Sequence, residues 1–172
     1  MAVATAVLAG VLAGCTPAPV KPEPTPVFSS EAEAFAAAEE TYRAYVDALN
    51  QVDLSDPETF EEVYAWTTGE ANAGERKSLS RMHADGWTVS GATVIDELDP
   101  ESFTPGGPIL ATLQVCTDIS AIAVSDATGA SVVSPVRPSK QAGVVTLSED
   151  ARSSTGMLVA AIEGGDHSCG QP

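Results

Sequence analysis

Cys15 is the residue whose type and position best predict chemistry in this chain. It follows Leu12, Ala13 and Gly14 and precedes a segment rich in proline. A thiol can accept a diacylglyceryl group, and two small residues before it suit a protease site. Residues 2–14 carry no charge and are almost all Ala, Val, Leu and Gly, which is typical of the apolar region of an export signal. These residues indicate an export signal that ends just before Cys15.

This four-residue pattern resembles a bacterial lipobox, which implies a signal peptide over residues 1–14, cleavage in front of Cys15 and lipidation of its sulfur. The alternatives are an ordinary signal peptide, or an apolar N-terminus that happens to contain a cysteine. Residues 1–5 contain no Lys or Arg, and this favours the alternatives because export signals normally begin with positive charge. A start site placed too far downstream would explain that absence. A transmembrane span is not expected, since residues 1–14 fall short of the roughly 20 apolar residues that a bilayer core requires.

The charge balance excludes several classes of partner. The chain has 24 acidic and 8 basic residues, a formal net charge of −16, and all of them follow Cys15. Such a surface repels phosphate backbones, so we expect no nucleic-acid partner. It also repels anionic lipid headgroups, and attachment to a membrane must therefore come from acyl chains on Cys15. The acidity favours solubility and cationic or neutral partners.

Cys116 and Cys169 remain once Cys15 is set aside. Two cysteines in an oxidising compartment predict one disulfide bond. The alternatives are two unrelated buried thiols or a redox pair, although the spacing is unlike the C-x-x-C pattern of redox motifs. The expected role of the pair is structural.

Other candidates for catalysis or metal binding are few. His83 lies near the end of a predicted helix, where we expect it to donate to the last carbonyls. His167 lies in an acidic, glycine-rich tail. Neither histidine has a second ligand at metal-site spacing, so no metal is expected. No G-x-S-x-G elbow, phosphate loop or dinucleotide fingerprint occurs, and we expect no cofactor.

The order of segments predicts a tether followed by one folded domain. Residues 16–27 hold five prolines in twelve positions, which favours polyproline II over helix or sheet. We assign residues 15–28 to the lipidated cysteine and this tether, and residues 29–172 to a single domain with one core.

Three helices are predicted at the start of the domain. Ser30 and Glu33 fit a capping box for a first helix over residues 30–50, and Asp56 before Pro57 fits the start of a second. A third helix is predicted with Asn72 as its cap, Glu75 as the box partner and a stop at Gly86. The expected inner face of the first helix consists of Phe35, Ala38, Tyr42, Tyr45 and Leu49, spaced three or four residues apart.

After Gly86 the apolar period changes from 3.6 to 2, which predicts strands. We expect a strand over 87–96, a loop over 99–108 that is rich in proline and glycine, and a long β-like run over 109–125. That run exceeds the usual strand length, so a bulge or bend is predicted near residues 117–120. Further strands are predicted over 130–134, 144–147 and 157–162.

Helices followed by strands predict an α+β fold, with helices on one face of an antiparallel sheet. The order of elements resembles the NTF2-like cone, which implies three N-terminal helices packed on a curved sheet of about five strands. Residues 38–49, 64–69 and 82–87 are similar to stretches of small lipoproteins from high-GC Gram-positive bacteria, and this similarity covers about residues 36–169. The family implies a disulfide between Cys116 and Cys169.

The NTF2-like resemblance also implies an apolar cavity, in which some members place an acid as a general base. Asp118 is the weak catalytic candidate here, because it shares a strand face with Gln114, Cys116 and Ser120. Alternation along the strand places that face outward, whereas Leu113, Val115, Ile119 and Ala121 face inward. This outward position argues against catalysis by Asp118.

The sequence therefore predicts an exported lipoprotein with a non-enzymatic binding or accessory domain on the extracytoplasmic face of the cell membrane. Its partner would be a protein, or a small apolar ligand held in the cavity of the cone. An isomerase- or dehydratase-like enzyme is the third alternative. A ligand-sized cavity with convergent polar groups would favour a ligand, whereas a filled core beside an exposed apolar patch would favour a protein.

Overall fold

The computed structural model describes residues 27–170, in which helices precede strands. The helical elements are α1 (Glu31–Asn50), a 3-10 turn (Pro57–Thr59), α2 (Phe60–Ala65) and α3 (Gly69–Ala84). The strands are β1 (Thr88–Ser90), β2 (Val94–Phe103), β3 (Ala111–Asp118), β4 (Ala123–Ser125), β5 (Lys140–Glu149) and β6 (Met157–Gly164). No helix within residues 27–170 combines the length and apolar character needed to cross a membrane.

Helix α1 begins where the sequence predicts, with one change in the cap. The Ser30 hydroxyl accepts a hydrogen bond from the Glu33 amide at 3.2 Å. The Glu33 carboxylate accepts from the amide and hydroxyl of Ser29, at 2.9 and 2.6 Å, rather than from the amide of Ser30. The inner face is wider than predicted and buries Ala34, Ala38, Thr41, Tyr42, Tyr45, Val46 and Ala48, with Phe35 and Leu49 half-buried beside it.

The start of α3 differs from the prediction, whereas its end agrees. Thr68 caps the helix, and Gly69 at φ +53° turns the chain into it. Asn72 lies inside the first turn, where its side-chain amide donates to the Thr67 hydroxyl at 2.9 Å. At the C-terminus the amide of Gly86, at φ +68°, donates to the carbonyl of His83, as expected of a left-handed C′ glycine.

The strands form two antiparallel sheets. Four strands pair in the order β2-β3-β5-β6, and β1 pairs with β4 in a separate two-stranded ribbon. Register shifts in β2 and between β5 and β6 mark bulges, which bend a sheet. Helix α1 packs on β2, β3 and β6, and α3 packs on β6. The α+β class is confirmed, with three N-terminal helices on one face of a bulged antiparallel sheet.

Two strand predictions fail near Gly91 and Pro100. The strand predicted over 87–96 is broken into β1 and β2, because Gly91 has φ +88° and so leaves the extended conformation. Only glycine fits there, since a Cβ would collide with the carbonyl oxygen of Ala121. The loop predicted over 99–108 is replaced through Phe103 by β2. Pro100 is tolerated because β2 is an edge strand with a register shift beside the proline.

The long β-like run divides as expected, but the strand after it is absent. Strand β3 ends at Asp118, a turn closes with the Ile122 amide donating to the Ile119 carbonyl at 3.1 Å, and β4 follows. The strand predicted over 130–134 is reduced to a single bridge between Ser125 and Ser131. Asp126 accepts hydrogen bonds from three groups, on Thr128 and Ala130, and holds this segment in a turn.

The segment between α2 and α3 joins the helical layer to the sheet. The amide of Thr68 donates to the carbonyl of Val159 at 2.8 Å, and the amide of Val159 donates to the carbonyl of Trp66 at 3.0 Å. These bonds occupy part of the outer edge of β6. The core between the layers consists of side chains exposed by 2% or less, among them Val63, Leu79, Leu113, Val145, Leu147, Met157 and Val159.

Candidate ligand-binding cavity

A large cavity lies between α1 and one end of the four-stranded sheet. Its volume is about 590 Å³. Tyr42, Tyr45, Val46 and Leu49 of α1 form one wall. The strands contribute Val115, Thr117, Gln141, Ala142, Gly143, Ile162, Glu163 and Gly164.

Unequal strand lengths open this cavity. The last residue of β6, Gly164, pairs with Gly143, so β5 extends to Lys140 without β6 beside it. Val115 and Thr117 lie on the face of β3 turned toward the helices and form the floor. The cavity therefore lies beside the part of β5 that extends past the end of β6.

A second cavity of about 360 Å³ adjoins the first. Both cavities are lined by Leu49, Thr93, Ile119 and Gln141. The rest of the second cavity is mainly apolar and is formed by Val52, Leu54, Leu79, Met82, Val89, Ile122 and Val124, together with Asn50, Gly91 and Arg137. The β1–β4 ribbon thus faces the helices across an apolar space continuous with the larger cavity.

The α1 wall carries two buried phenols. Burial raises the pKa of Tyr42 to about 12, and burial together with the charge of Glu75 raises the pKa of Tyr45. The Tyr45 hydroxyl donates to Oε1 of Glu75 at 2.6 Å. Burial also raises the pKa of Glu75, although the hydrogen bond from Tyr45 opposes this shift. Both phenols are neutral at physiological pH, and the Tyr45 hydroxyl is engaged by an acid outside the cavity lining.

The two cations in the cavity walls have different partners. Lys140 Nζ lies 3.0 Å from Asp96 Oδ2, and the hydrogen bond to Asp96 raises the lysine pKa. Arg137 donates from Nη2 to the carbonyls of Ile119 and Ile122, each at 2.9 Å. Among residues 27–170, no carboxylate lies within 4.0 Å of the Arg137 guanidinium, and the ion pairs present involve other cations.

Asp118, the weak catalytic candidate, is not among the residues that line either cavity. Its neighbours Thr117 and Ile119 line the larger one, and alternation places Asp118 on the opposite face of β3. Its carboxylate accepts a hydrogen bond from the Ser120 amide at 2.8 Å. Hydrogen bonds from Ser120 lower the pKa of Asp118, whereas a general base in an apolar cavity requires a raised one.

Cys116 and Cys169 are bonded to each other, with a Cα–Cα distance of 5.5 Å. The disulfide predicted from the sequence is therefore present. It fastens the segment after β6 to Cys116 on β3, and His167 in the same segment places Nε2 at 3.2 Å from the Val115 carbonyl oxygen. His167 and the two sulfurs lie within 4.8 Å of one another. The sulfurs are joined in a disulfide, so they are not thiolate ligands.

His83 does not make the contact that the sequence suggested. Its Nδ1 lies 2.7 Å from the carbonyl oxygen of Leu54, in the connection before α2, rather than near the last carbonyls of its own helix. The sequence also failed to indicate Arg137 and the Tyr45–Glu75 pair. A lone arginine between Pro135 and Pro138, in a chain with 8 basic residues, was the available signal for Arg137.

The predicted lipidation site, Cys15, lies outside the described residues, as do the signal peptide over 1–14 and the tether up to residue 26. The anchor therefore stays a prediction from the sequence.

No protein-family model matches the sequence, and no curated protein matches it either. Among solved structures, the chain is similar to the VirB8 protein of Agrobacterium tumefaciens, with 10% identity, 83% of this chain and 98% of that chain covered, and a TM-score of 0.44. A periplasmic fragment of TraM matches with 14% identity, coverages of 80% and 100%, and a TM-score of 0.40. The periplasmic domain of DotI matches with 16% identity, coverages of 80% and 96%, and a TM-score of 0.36. Likenesses at this level carry no information on ligand or partner.

Proposed function

We propose that this chain is an exported lipoprotein, anchored through acyl chains on Cys15, whose domain binds a small apolar ligand on the extracytoplasmic face of the cell membrane. The observation that carries the proposal is the pair of adjoining cavities between the helices and the strands. Their volumes of about 590 and 360 Å³ lie within the usual range for ligand sites. Of the two kinds of partner considered from the sequence, a ligand-sized cavity favours the small molecule.

The chemistry of the walls supports an apolar ligand. Most side chains around the second cavity are aliphatic, and the phenols of Tyr42 and Tyr45 are neutral. Transfer of hydrocarbon from water to such walls gains roughly 25 cal/mol for each Å² of apolar surface buried. A few polar groups, including Thr93 and Gln141 at the junction of the cavities, can orient the ligand.

The disulfide and the sequence support export. A bond between Cys116 and Cys169 suits an oxidising compartment outside the cytoplasm. The lipobox-like residues 12–15 and the proline-rich segment after them support a position near the outer face of the membrane, which also suits a ligand released from lipids.

A binding role without catalysis is supported by the positions of two carboxylates, Asp118 and Glu75. Asp118 lies outside the cavity lining and its pKa is lowered. Glu75 is half-buried and has a raised pKa, but its oxygen accepts the hydrogen bond from Tyr45 between α1 and α3.

The experiment that tests the proposal is native mass spectrometry of the chain carrying Cys15→Ala, purified from its own type of host without detergent. We expect a copurified small molecule that is lost on denaturation. Thr93→Trp should exclude it, because Thr93 lies where the two cavities meet. The control is Thr88→Trp, on the exposed β1, which should retain it. An apo mass, together with no uptake of an environment-sensitive apolar dye, would contradict the proposal.

A further inference from the structure

We infer that the ligand is an amphipathic carboxylate, whose carboxylate is bound by Arg137 and whose hydrocarbon chain occupies the second cavity. This inference rests on the proposed function, since it names the chemical class of ligand for the same cavities. It comes from the position, hydrogen bonds and charge environment of a single arginine.

Arg137 lies in a wall that is otherwise almost free of charge. The second cavity is lined by aliphatic side chains such as Leu54, Leu79 and Val124, and Arg137 is its one ionisable lining residue. Asn50, the polar side chain that α1 contributes to this lining, is occupied, because it exchanges two hydrogen bonds with the backbone of Thr93, at 2.8 and 2.9 Å. A cation at the side of an apolar cavity provides one polar anchor for a molecule that is otherwise hydrocarbon.

The guanidinium is fixed but not saturated. A guanidinium has five N–H donors. The two donors on Nη2 account for the hydrogen bonds to the carbonyls of Ile119 and Ile122. These bonds hold the planar group at the bend between β3 and β4, and they leave the donors on Nε and Nη1. Each of these nitrogens can donate a charge-assisted hydrogen bond to one carboxylate oxygen.

Charge complementarity favours an anion at this position. The domain belongs to a chain with a net charge of −16, yet no acidic oxygen of residues 27–170 lies within 4.0 Å of the Arg137 guanidinium. Lys140, the cation of the larger cavity, is paired with Asp96. A single unpaired charge suits a monoanion such as a carboxylate better than a phosphate dianion.

The larger cavity sets the direction of binding. Glu163 lies in its lining, and a second carboxylate there would meet like charge. The head group therefore belongs at Arg137. The chain follows the aliphatic wall of the second cavity, and a longer chain extends past Leu49 and Ile119 into the larger one.

The test compares three molecules of equal chain length, decanoate, decanol and decylamine, by calorimetric titration of the chain carrying Cys15→Ala, below their aggregation concentrations. We expect decanoate to bind at least tenfold more tightly than decanol, and decylamine to bind no more tightly than decanol. The net charge of the protein alone would give the opposite order, so the preference for the anion isolates the local effect of Arg137.

The outcomes separate this inference from the proposed function. Equal affinities, or tighter binding of decanol or decylamine than of decanoate, would overturn the inference and leave an apolar binding cavity. Absence of binding by all three would count against both.

A variant pair gives a second readout. Arg137→Gln keeps donors for the two carbonyls but removes the charge, and it should reduce the affinity for decanoate to that for decanol. Arg152→Gln is the matched control, because Arg152 is exposed, is paired with Asp150 and does not line these cavities, so it should change neither affinity. If Arg137→Gln does not fold, the comparison of decanoate, decanol and decylamine on the chain with Arg137 intact still tests the inference.

Discussion

The hydroxyl of Tyr45 lies 2.6 Å from Oε1 of Glu75, and this half-buried contact joins α1 to α3. Burial raises the pKa of the Glu75 carboxyl, and the phenol hydrogen bond offsets only part of that effect. The ionised form of Glu75 is therefore partly desolvated in the helix pair. Such a group reduces stability when ionised even though its hydrogen bond is well formed.

Replacing Glu75 by Gln should change the dependence of stability on pH. The pKa of Glu75 is higher in the folded state, so between the unfolded and folded pKa values the folded chain binds more protons. The free energy of unfolding then falls as pH rises through that window, by about 1.4 kcal/mol for each unit of pKa difference. Glu75→Gln retains an oxygen acceptor for Tyr45 and should remove this loss.

Denaturant unfolding between pH 4 and 8 measures the effect. We expect the difference in stability between Glu75→Gln and the unsubstituted chain to shift in favour of the variant as pH rises. Glu70→Gln, an exposed acid in the first turn of the same helix, is the charge-matched control. Parallel pH profiles for Glu75→Gln and the unsubstituted chain would refute the argument.

Removing the disulfide should destabilise the domain. Cys116 and Cys169 are separated by 53 residues, and the chain-entropy estimate for such a loop is about 4 kcal/mol. Cys169→Ser should lower the melting temperature of oxidised protein, and Cys116→Ser should do the same with an added cost from the buried hydroxyl. Reduction by a dithiol should bring the unsubstituted chain close to the variants. An unchanged melting temperature in oxidised samples would show that the bond contributes nothing.

Gly91→Ala should destabilise the domain more than a substitution at a glycine of similar backbone conformation. Left-handed backbone alone costs an L-residue about 1–2 kcal/mol, and at Gly91 the new Cβ also meets the carbonyl oxygen of Ala121. Gly129 has a similar φ, +83° against +88°, but a Cβ at Gly129 would have no neighbouring atom within 4 Å. Thermal unfolding of Gly91→Ala and Gly129→Ala separates the two contributions, and equal losses would show that the close approach is unimportant.

Cys15→Ala should release the exported chain from membranes into the soluble fraction, because it removes the acceptor of the acyl chains. Fractionation with detection of the chain in each fraction provides the measurement. Thr16→Ala, the neighbouring substitution, should leave the chain on the membrane. Retention of Cys15→Ala at the membrane would contradict lipidation at this position.

Local sequence signals predicted the helical elements well, since each depends on residues close in the chain. Ser30 caps α1, Asp56 and Pro57 begin the next helical segment, and Gly86 ends α3. The path of β2 through Pro100 could not be predicted in the same way. A proline is compatible with a strand only at an edge, and the position of β2 in the sheet depends on pairing with β3.

The site was less predictable than the fold, because its parts come together through long-range packing. The count of cysteines and the expected compartment were enough to pair Cys116 with Cys169. By contrast, Glu75 was assigned to a capping box within its own helix, whereas its partner is Tyr45, thirty residues earlier. Arg137 gains its significance only from the turn of β3 into β4, which no local pattern around Pro138 reveals.

The bonds from Trp66 and Thr68 to Val159 have a consequence for how neighbouring copies meet. An open strand edge is a template for pairing with another chain and hence for aggregation. Here the edge of β6 is partly closed by the helix connection. The opposite edge, β2, carries Pro100 and four acidic side chains, Asp96, Glu97, Asp99 and Glu101. Both borders of the sheet therefore resist edge-to-edge association, and the domain can be held at high local density without forming intermolecular β-structure.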